Sequence, residues 1–230
     1  MSAPAPINEP EPMNVIITND LKIEFKNILI KYLDDRIFKE DKINSWMNEI
    51  LKDAKEYFIK KYPDYDIFLH CYICSKTVYF SSKVSSISIN DIDWSDCVTF
   101  YTDNLFSTIY FFFFKHYDLN YSLEEFENQI IQKGNELLEK YLDGRKYDKD
   151  QVTTYNNNII NEHSEYIVEK NNQLRAMLLS EIYQKPLQGK YFFKYLVHGK
   201  NICSKIIQTY TTDNLTCCHY IFFFKYKKIN

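Results

Sequence analysis

The sequence predicts an α+β protein built from two tandem α-α-β-β-β-β units, each with two helices packed on an antiparallel sheet. Three observations carry this. Phe100-Tyr101-Thr102-Asp103-Asn104-Leu105, leading into Tyr110-Phe111-Phe112-Phe113-Phe114-Lys115, recurs as Tyr210-Thr211-Thr212-Asp213-Asn214-Leu215 leading into Tyr220-Ile221-Phe222-Phe223-Phe224-Lys225. Thr102 to Thr212 and Lys115 to Lys225 are both offsets of 110 residues, far beyond the roughly 20–50 residues of a solenoid repeat, so the repeat marks a duplicated domain. Upstream, Lys31-Tyr32-Leu33-Asp34 recurs as Lys140-Tyr141-Leu142-Asp143 at an offset of 109, which Asp41/Asp150 and Lys76/Lys185 keep. Finally, helical apolar periodicity precedes strand-like stretches in both halves.

Residues 1–17 contain Pro4, Pro6, Pro10 and Pro12 with acidic spacers and read as a disordered tail. The first domain then spans 18–117 and the second 122–228. A first helix is predicted over about 20–37, with Leu21, Phe25, Ile28, Leu29, Tyr32 and Leu33 at helical spacing. Asp41 is expected to cap a second helix, which Pro63 ends. Its stripe of Ile43, Trp46, Met47, Ile50, Leu51, Ala54, Tyr57 and Phe58 should lie on a sheet. Strands follow over about 66–76, 77–89, 96–103 and 106–116. Asp103-Asn104 reads as a hairpin turn that tolerates left-handed backbone, and Tyr110–Phe114 is apolar on both alternating faces, so its strand should be covered on both sides.

In the second half Ser122 with Glu125 forms a capping box for a helix to about 143. The next helix, opened by Asp150, carries Val152, Tyr155, Ile159, Ile160, Tyr166 and Ile167. One residue enters the second copy between the equivalents of Lys76 and Thr102, where the offset steps from 109 to 110. Met47 and Ala54 become Asn156 and His163, which predicts a different neighbour for the second helix pair, with His163 a core residue bonded to a partner.

Composition excludes several classes. At 45% hydrophobic and 17% aromatic residues the chain can build real cores. A net charge of −3 gives no electrostatic case for nucleic acid or an anionic membrane. The longest apolar run, Ile109–Phe114, is far short of a spanning helix, and Met1–Pro6 lacks the features of a signal peptide, which predicts an intracellular protein with reduced, mostly buried cysteines. Cys71-Tyr72-Ile73-Cys74 falls inside a predicted strand, where residues three apart face opposite sides, and Cys217-Cys218 meets the same objection to a shared metal. None of the four glycines forms a phosphate-cradling loop, and His198-Gly199-Lys200 reads as a turn. Asp34-Asp35, Asp91/Asp93 and Glu124-Glu125 sit at helix ends or in loops, where solvation explains them. The expectation is a non-enzyme, without cofactor or metal.

With this element order, Lys42-Ile43-Asn44-Ser45-Trp46 opening the second helix, the strand Phe68–Lys76, a Trp94-Ser95-Asp96 turn, and Cys97–Asn104 running into the last strand, the chain resembles the Tctex-type dynein light chains. The resemblance covers about 20–116, and 123–227 mainly through their match to the first half. It implies single-domain subunits that dimerise by exchanging a strand and hold an extended segment of a dynein intermediate chain. Fused in one chain, with only about five residues (Tyr117–Tyr121) between the copies, two such units would dock as an intramolecular, monomeric pseudo-dimer whose second strands pair across the halves. The resemblance further implies other dynein light chains as neighbours, and a cytoplasmic, cytoskeletal location that includes the axoneme of a cilium or flagellum.

Strand addition needs a free sheet edge. The candidate edges are Cys97, Val98, Thr99, Phe100, Tyr101 and Thr102 in one half and Ile206, Ile207, Gln208, Thr209 and Tyr210 in the other. Two further readings are a structural adaptor of an axonemal or other cytoskeletal assembly not bound to a motor, and an enzyme with an unrecognised site.

Overall fold

A computed structural model of the chain describes residues 12–75, 82–89, 94–115, 124–171, 175–185, 191–198 and 202–224. Its elements run α-α-β-β-β-β twice. The first copy comprises α1 (Met13–Leu33), α2 (Glu40–Lys61), β1 (Tyr65–Ser75), β2 (Ser82–Ile89), β3 (Trp94–Tyr101) and β4 (Leu105–Lys115). The second comprises α3 (Glu124–Leu142), α4 (Val152–Lys170), β5 (Arg175–Gln184), β6 (Tyr191–His198), β7 (Ile202–Thr211) and β8 (Leu215–Phe224). The fold is α+β, with four helices and two antiparallel sheets among the described residues.

The sheets have the orders β3-β4-β1-β6 and β7-β8-β5-β2. Each takes three strands from one copy and one from the other: β6 pairs with β1 (His70 opposite Tyr195), and β2 with β5 (Ser88 opposite Met177). The offset is still 109 in these two strands, since β1 and β5 hold β6 and β2 in the same register. It is 110 from Ser204 onward, just after a register shift between Ile202 and Ser204, so the extra residue enters between β6 and Ser204.

Strand alternation separates the packing layers. On β1, Ile67, Leu69, Cys71 and Ile73 face α1 and α2 in one core, together with Phe111 and Phe113 of β4. Phe25 meets Phe111 edge-on at 5.3 Å between ring centres. The opposite face of the same strands carries Phe68 and Phe112, which pack against Met177, Leu179 and Phe222 of the other sheet. Phe68 and Phe222 are 4.4 Å apart across that boundary. The phenylalanine-rich strand is thus covered on both sides, as its pattern predicts. α3 and α4 cover the outer face of the second sheet through Ile130, Leu138, Ile159, Ile160 and Ile167.

The repeated Lys-Tyr is a helix latch. Lys31 Nζ and the Tyr32 hydroxyl both donate to Asp53 Oδ2 at 2.7 Å. Lys140 and Tyr141 do the same to Glu162, at the position equivalent to Asp53.

Several expectations are corrected. The first helix begins at Met13, not near 20, because Pro12 supplies the first carbonyl acceptor at a position where a missing N–H costs nothing. Residues 13–17 of the expected tail are therefore helical, while 1–11 lie outside the described residues. Asp41 does not cap α2: Lys39 holds the cap position with no side-chain bond, and Asp41 sits in the first turn. Asp148, not Asp150, serves α4, its Oδ1 accepting from the Asp150 N–H at 2.8 Å. Trp46 and Tyr57 are only half-buried at the rim of the stripe, and Trp94-Ser95-Asp96 opens β3 and is not a turn. The Asp-Asn hairpin also avoids the left-handed region, since Asp35 is the one non-glycine residue with positive φ among those described. The turn closes through a hydroxyl instead: Thr102 Oγ1 accepts from the N–H groups of Asn104 and Leu105 at 3.2 and 3.1 Å, and Thr212 repeats this with Asn214 and Leu215. Ser122 and residues 77–81 lie outside the described residues.

Candidate functional site

Among the described residues β3 pairs only with β4, and β7 only with β8, so the two candidate segments are sheet edges at equivalent places. An edge strand directs half its backbone N–H and C=O groups away from the sheet. The sheets' other ends, β6 and β2, are likewise paired on one side among the described residues.

The eleven candidate residues divide by alternation. Val98, Ile206 and Gln208 point inward and are buried, so they anchor the edges and cannot meet a ligand with their side chains. Phe100 packs half-buried on the first core, and Tyr210 donates to Asp143 Oδ1 at 3.3 Å. Thr102 is used by the turn. The outward set is Cys97, Thr99 and Tyr101 on β3 and Ile207 and Thr209 on β7; Tyr101 is 69% and Ile207 42% exposed. Thr99 Oγ1 lies 3.2 Å from Thr108 Oγ1 on the neighbouring strand. Sequence reasoning did not single out Lys205, which is exposed at the same edge and stands 5.6 Å over the Tyr195 ring of β6. Only the stacking of one sheet on the other brings Lys205 of β7 over Tyr195 of β6.

The helices hold the two edges differently. In the first copy Lys22 of α1 forms an ion pair with Asp96 of β3. In the second, Gln208 Nε2 donates to the Ile131 carbonyl at 2.8 Å and to Asn135 Oδ1 at 2.6 Å, and Ser204 Oγ donates to Glu127 at 2.8 Å.

Behind β7 lies a buried polar cluster. His163 Nε2 is 3.0 Å from the Ile130 carbonyl, and its Nδ1 is 2.9 Å from His219 Nε2. A carbonyl can only accept, so His163 carries its proton on Nε2 and Nδ1 accepts from His219. Burial pushes His163 down to about 4 and His219 well below its ordinary value, so both rings are neutral at neutral pH. The expected hydrogen-bonded core histidine is what His163 is. The expected change of neighbour is not found: α4 still packs on β5. What changes is complementary. The first copy's Phe25, Ala54, Val98 and Ile109 stand where the second has Gly134, His163, Gln208 and His219, so polar side chains occupy the volume a phenylalanine fills in the first half.

Between the sheets, His70 Nε2 and Glu181 Oε2 are 3.8 Å apart and fully enclosed. Burial pushes Glu181 up to about 8 and His70 down to about 4. Burial thus favours the uncharged form of both groups. Cys71 and Cys217 face the helices, Cys74 and Cys218 the opposite sides of the same unbroken strands, and burial raises the Cys71, Cys74 and Cys217 thiols to about 12, where they are not nucleophiles. Among the described residues no group of three or more His, Cys, Asp or Glu could hold a metal ion, and no helix is long and apolar enough to cross a membrane. The geometry these residues offer is backbone pairing at an edge. No protein-family model matches the chain, and no curated protein matches it.

Proposed function

We propose that the chain is a non-catalytic dynein light chain in which two Tctex-type units are fused as an intramolecular pseudo-dimer, each lending its second strand to the other's sheet. In this role it binds an extended segment of a dynein intermediate chain by strand addition at β3 and β7, and helps assemble or tether the motor complex beside other light chains of the cytoskeleton or axoneme. The observation that supports it is the pair of equivalent edge strands, each closing a sheet and each presenting an outward row of side chains, uncharged on β3 and including Lys205 on β7. An added peptide satisfies the outward backbone groups, and its alternate side chains meet Cys97, Thr99 and Tyr101 at one edge, Ile207 and Thr209 at the other.

The two edges differ in charge, since β7 carries Lys205 while β3 carries Asp96. Fusion lifts the symmetry that makes both grooves of a homodimer identical. Each groove then suits a different segment of one partner, and the second engagement gains effective concentration.

The test is co-purification with identification of bound proteins by mass spectrometry, followed by calorimetry with the segments found. One-to-one binding to an intermediate-chain-type protein is expected, with Thr99→Lys and Ile207→Lys each weakening it about tenfold or more by placing a charge on the edge. Two identical, independent sites for one short peptide would sink the model of distinct grooves. Recovery of axonemal components without any intermediate chain would favour a structural adaptor instead.

A further inference from the structure

Helix α1 is apolar on two faces. Its inner residues, among them Ile17, Leu21, Phe25 and Leu29, are buried in the first core. On the opposite side Ile16, Ile23 and Ile30 recur every seven residues and remain 45%, 66% and 37% exposed, with Met13 ahead of them at 60%. A surface helix ordinarily carries polar residues there. The duplication provides an internal control, because α3 occupies the same place on the second sheet. At the offset of 109, α3 has Glu125, Gln132 and Glu139 where α1 has the three isoleucines. The fold therefore does not require the ridge.

We propose that the ridge packs against the same ridge of a second copy of the chain, antiparallel, about a two-fold axis through Ile23. Ile16 and Ile30 lie seven residues to either side of Ile23, about 10 Å along the helix at 1.5 Å per residue. The axis then sets Ile16 against Ile30 of the second copy and Ile23 against its own counterpart, as an isologous contact requires. The flanks are compatible. Asn19 and Lys26 run along one side of the ridge, so Lys26 meets Asn19; on the other side Asp20 is turned aside to Tyr57, Lys61 and Tyr62 of α2, and no like charges are opposed. Lys22 and Lys31 are turned aside into ion pairs with Asp96 and Asp53.

The contact is separate from the sheets and from the β3 and β7 edges. A ridge of this kind offers a few hundred Å² per chain, against roughly 800 Å² per partner in a standard interface, so the association is weak and concentration-dependent. At low micromolar concentration the chain is a monomer.

Sedimentation of the full chain between about 5 and 500 µM should show the mean mass rising from monomer toward dimer, as fits so small an interface. Ile23→Glu should abolish the rise, and so should Ile23→Gln, which copies the residue α3 carries and leaves the core untouched. Mild oxidation tests the geometry, with the unmodified chain as the blank for its own thiols. Ile23→Cys should cross-link to itself. Ile16→Cys should not, because the axis separates the two copies of residue 16 by about 20 Å, but it should cross-link when mixed with Ile30→Cys. A monomer at the highest concentration, dimerisation unaffected by both Ile23 variants, or self-cross-linking of Ile16→Cys would each overturn the proposal.

Discussion

Replacing Gly134 by alanine tests the exchanged core of the second half. In an exposed helix this change stabilises by up to about 1 kcal/mol, because alanine removes the conformational freedom glycine has in the unfolded chain. Gly134 is not in such a place. A Cβ built there would stand 1.9 Å from Gln208 Oε1, 2.7 Å from its Cδ and 2.8 Å from His163 Cε1. The imidazole is held at both nitrogens, so Gln208 must move. Moving it breaks the bonds to the Ile131 carbonyl and Asn135 Oδ1, at about 1 kcal/mol each, and general overpacking adds to this. Against a propensity gain of about 1 kcal/mol, the net expected effect is a loss of about 2–4 kcal/mol, read as a lower urea midpoint with unchanged slope. Adding Gln208→Val, the residue of the first copy, should recover most of that loss and show coupling between the sites. If Gly134→Ala alone raised the midpoint, the close packing of α3 on β7 and α4 would be wrong.

Four further outcomes rest on the same geometry. Glu181 is raised from its ordinary 4.5 to about 8, so the protonated form is what the fold favours; its contribution is fully present below about 4.5 and is lost as pH rises through about 8. That interval is worth at most about 4–5 kcal/mol, and Glu181→Gln should flatten the alkaline fall in a stability-versus-pH series. His70 and His163 run the other way: with both lowered to about 4, their contribution is present above about 6.5 and is lost as pH falls toward 4. Thr102→Ala and Thr212→Ala should each cost about 1 kcal/mol in denaturant melts by stripping the turn of its acceptor, whereas Asn104→Gly should not stabilise, because the turn does not use positive φ. Trp46→Ala should cost clearly less than the roughly 3–5 kcal/mol of a fully buried aromatic, since Trp46 is only half-buried; thermal unfolding of the variant decides this.

Much of the architecture was legible because it is periodic. The offsets of 109 and 110, the α2 stripe and the run Tyr110–Phe114 declare two copies, a helix lying on a sheet and a doubly covered strand. Side-chain period is a local property, and a single chain displays it wherever one face must leave water. The positions of β3 and β7 as edges also followed, since each precedes a tight hairpin into a fully apolar strand. Their division into buried anchors (Val98, Ile206, Gln208) and outward residues (Thr99, Tyr101, Ile207) came with the pleat and the helices above it.

Other features only the tertiary structure decided. Asn156 and His163 looked like marks of a changed neighbour, but the compensating residues Gly134, Gln208 and His219 are distant in sequence and meet only when α3, α4, β7 and β8 are assembled. The approach of His70 to Glu181 depends on two sheets stacking face to face, which no local pattern encodes. The ridge of Ile16, Ile23 and Ile30 was invisible for a related reason. Within α1 these residues are simply more apolar side chains, and until the core has claimed one face of the helix nothing distinguishes the isoleucines it buries from those it leaves in water.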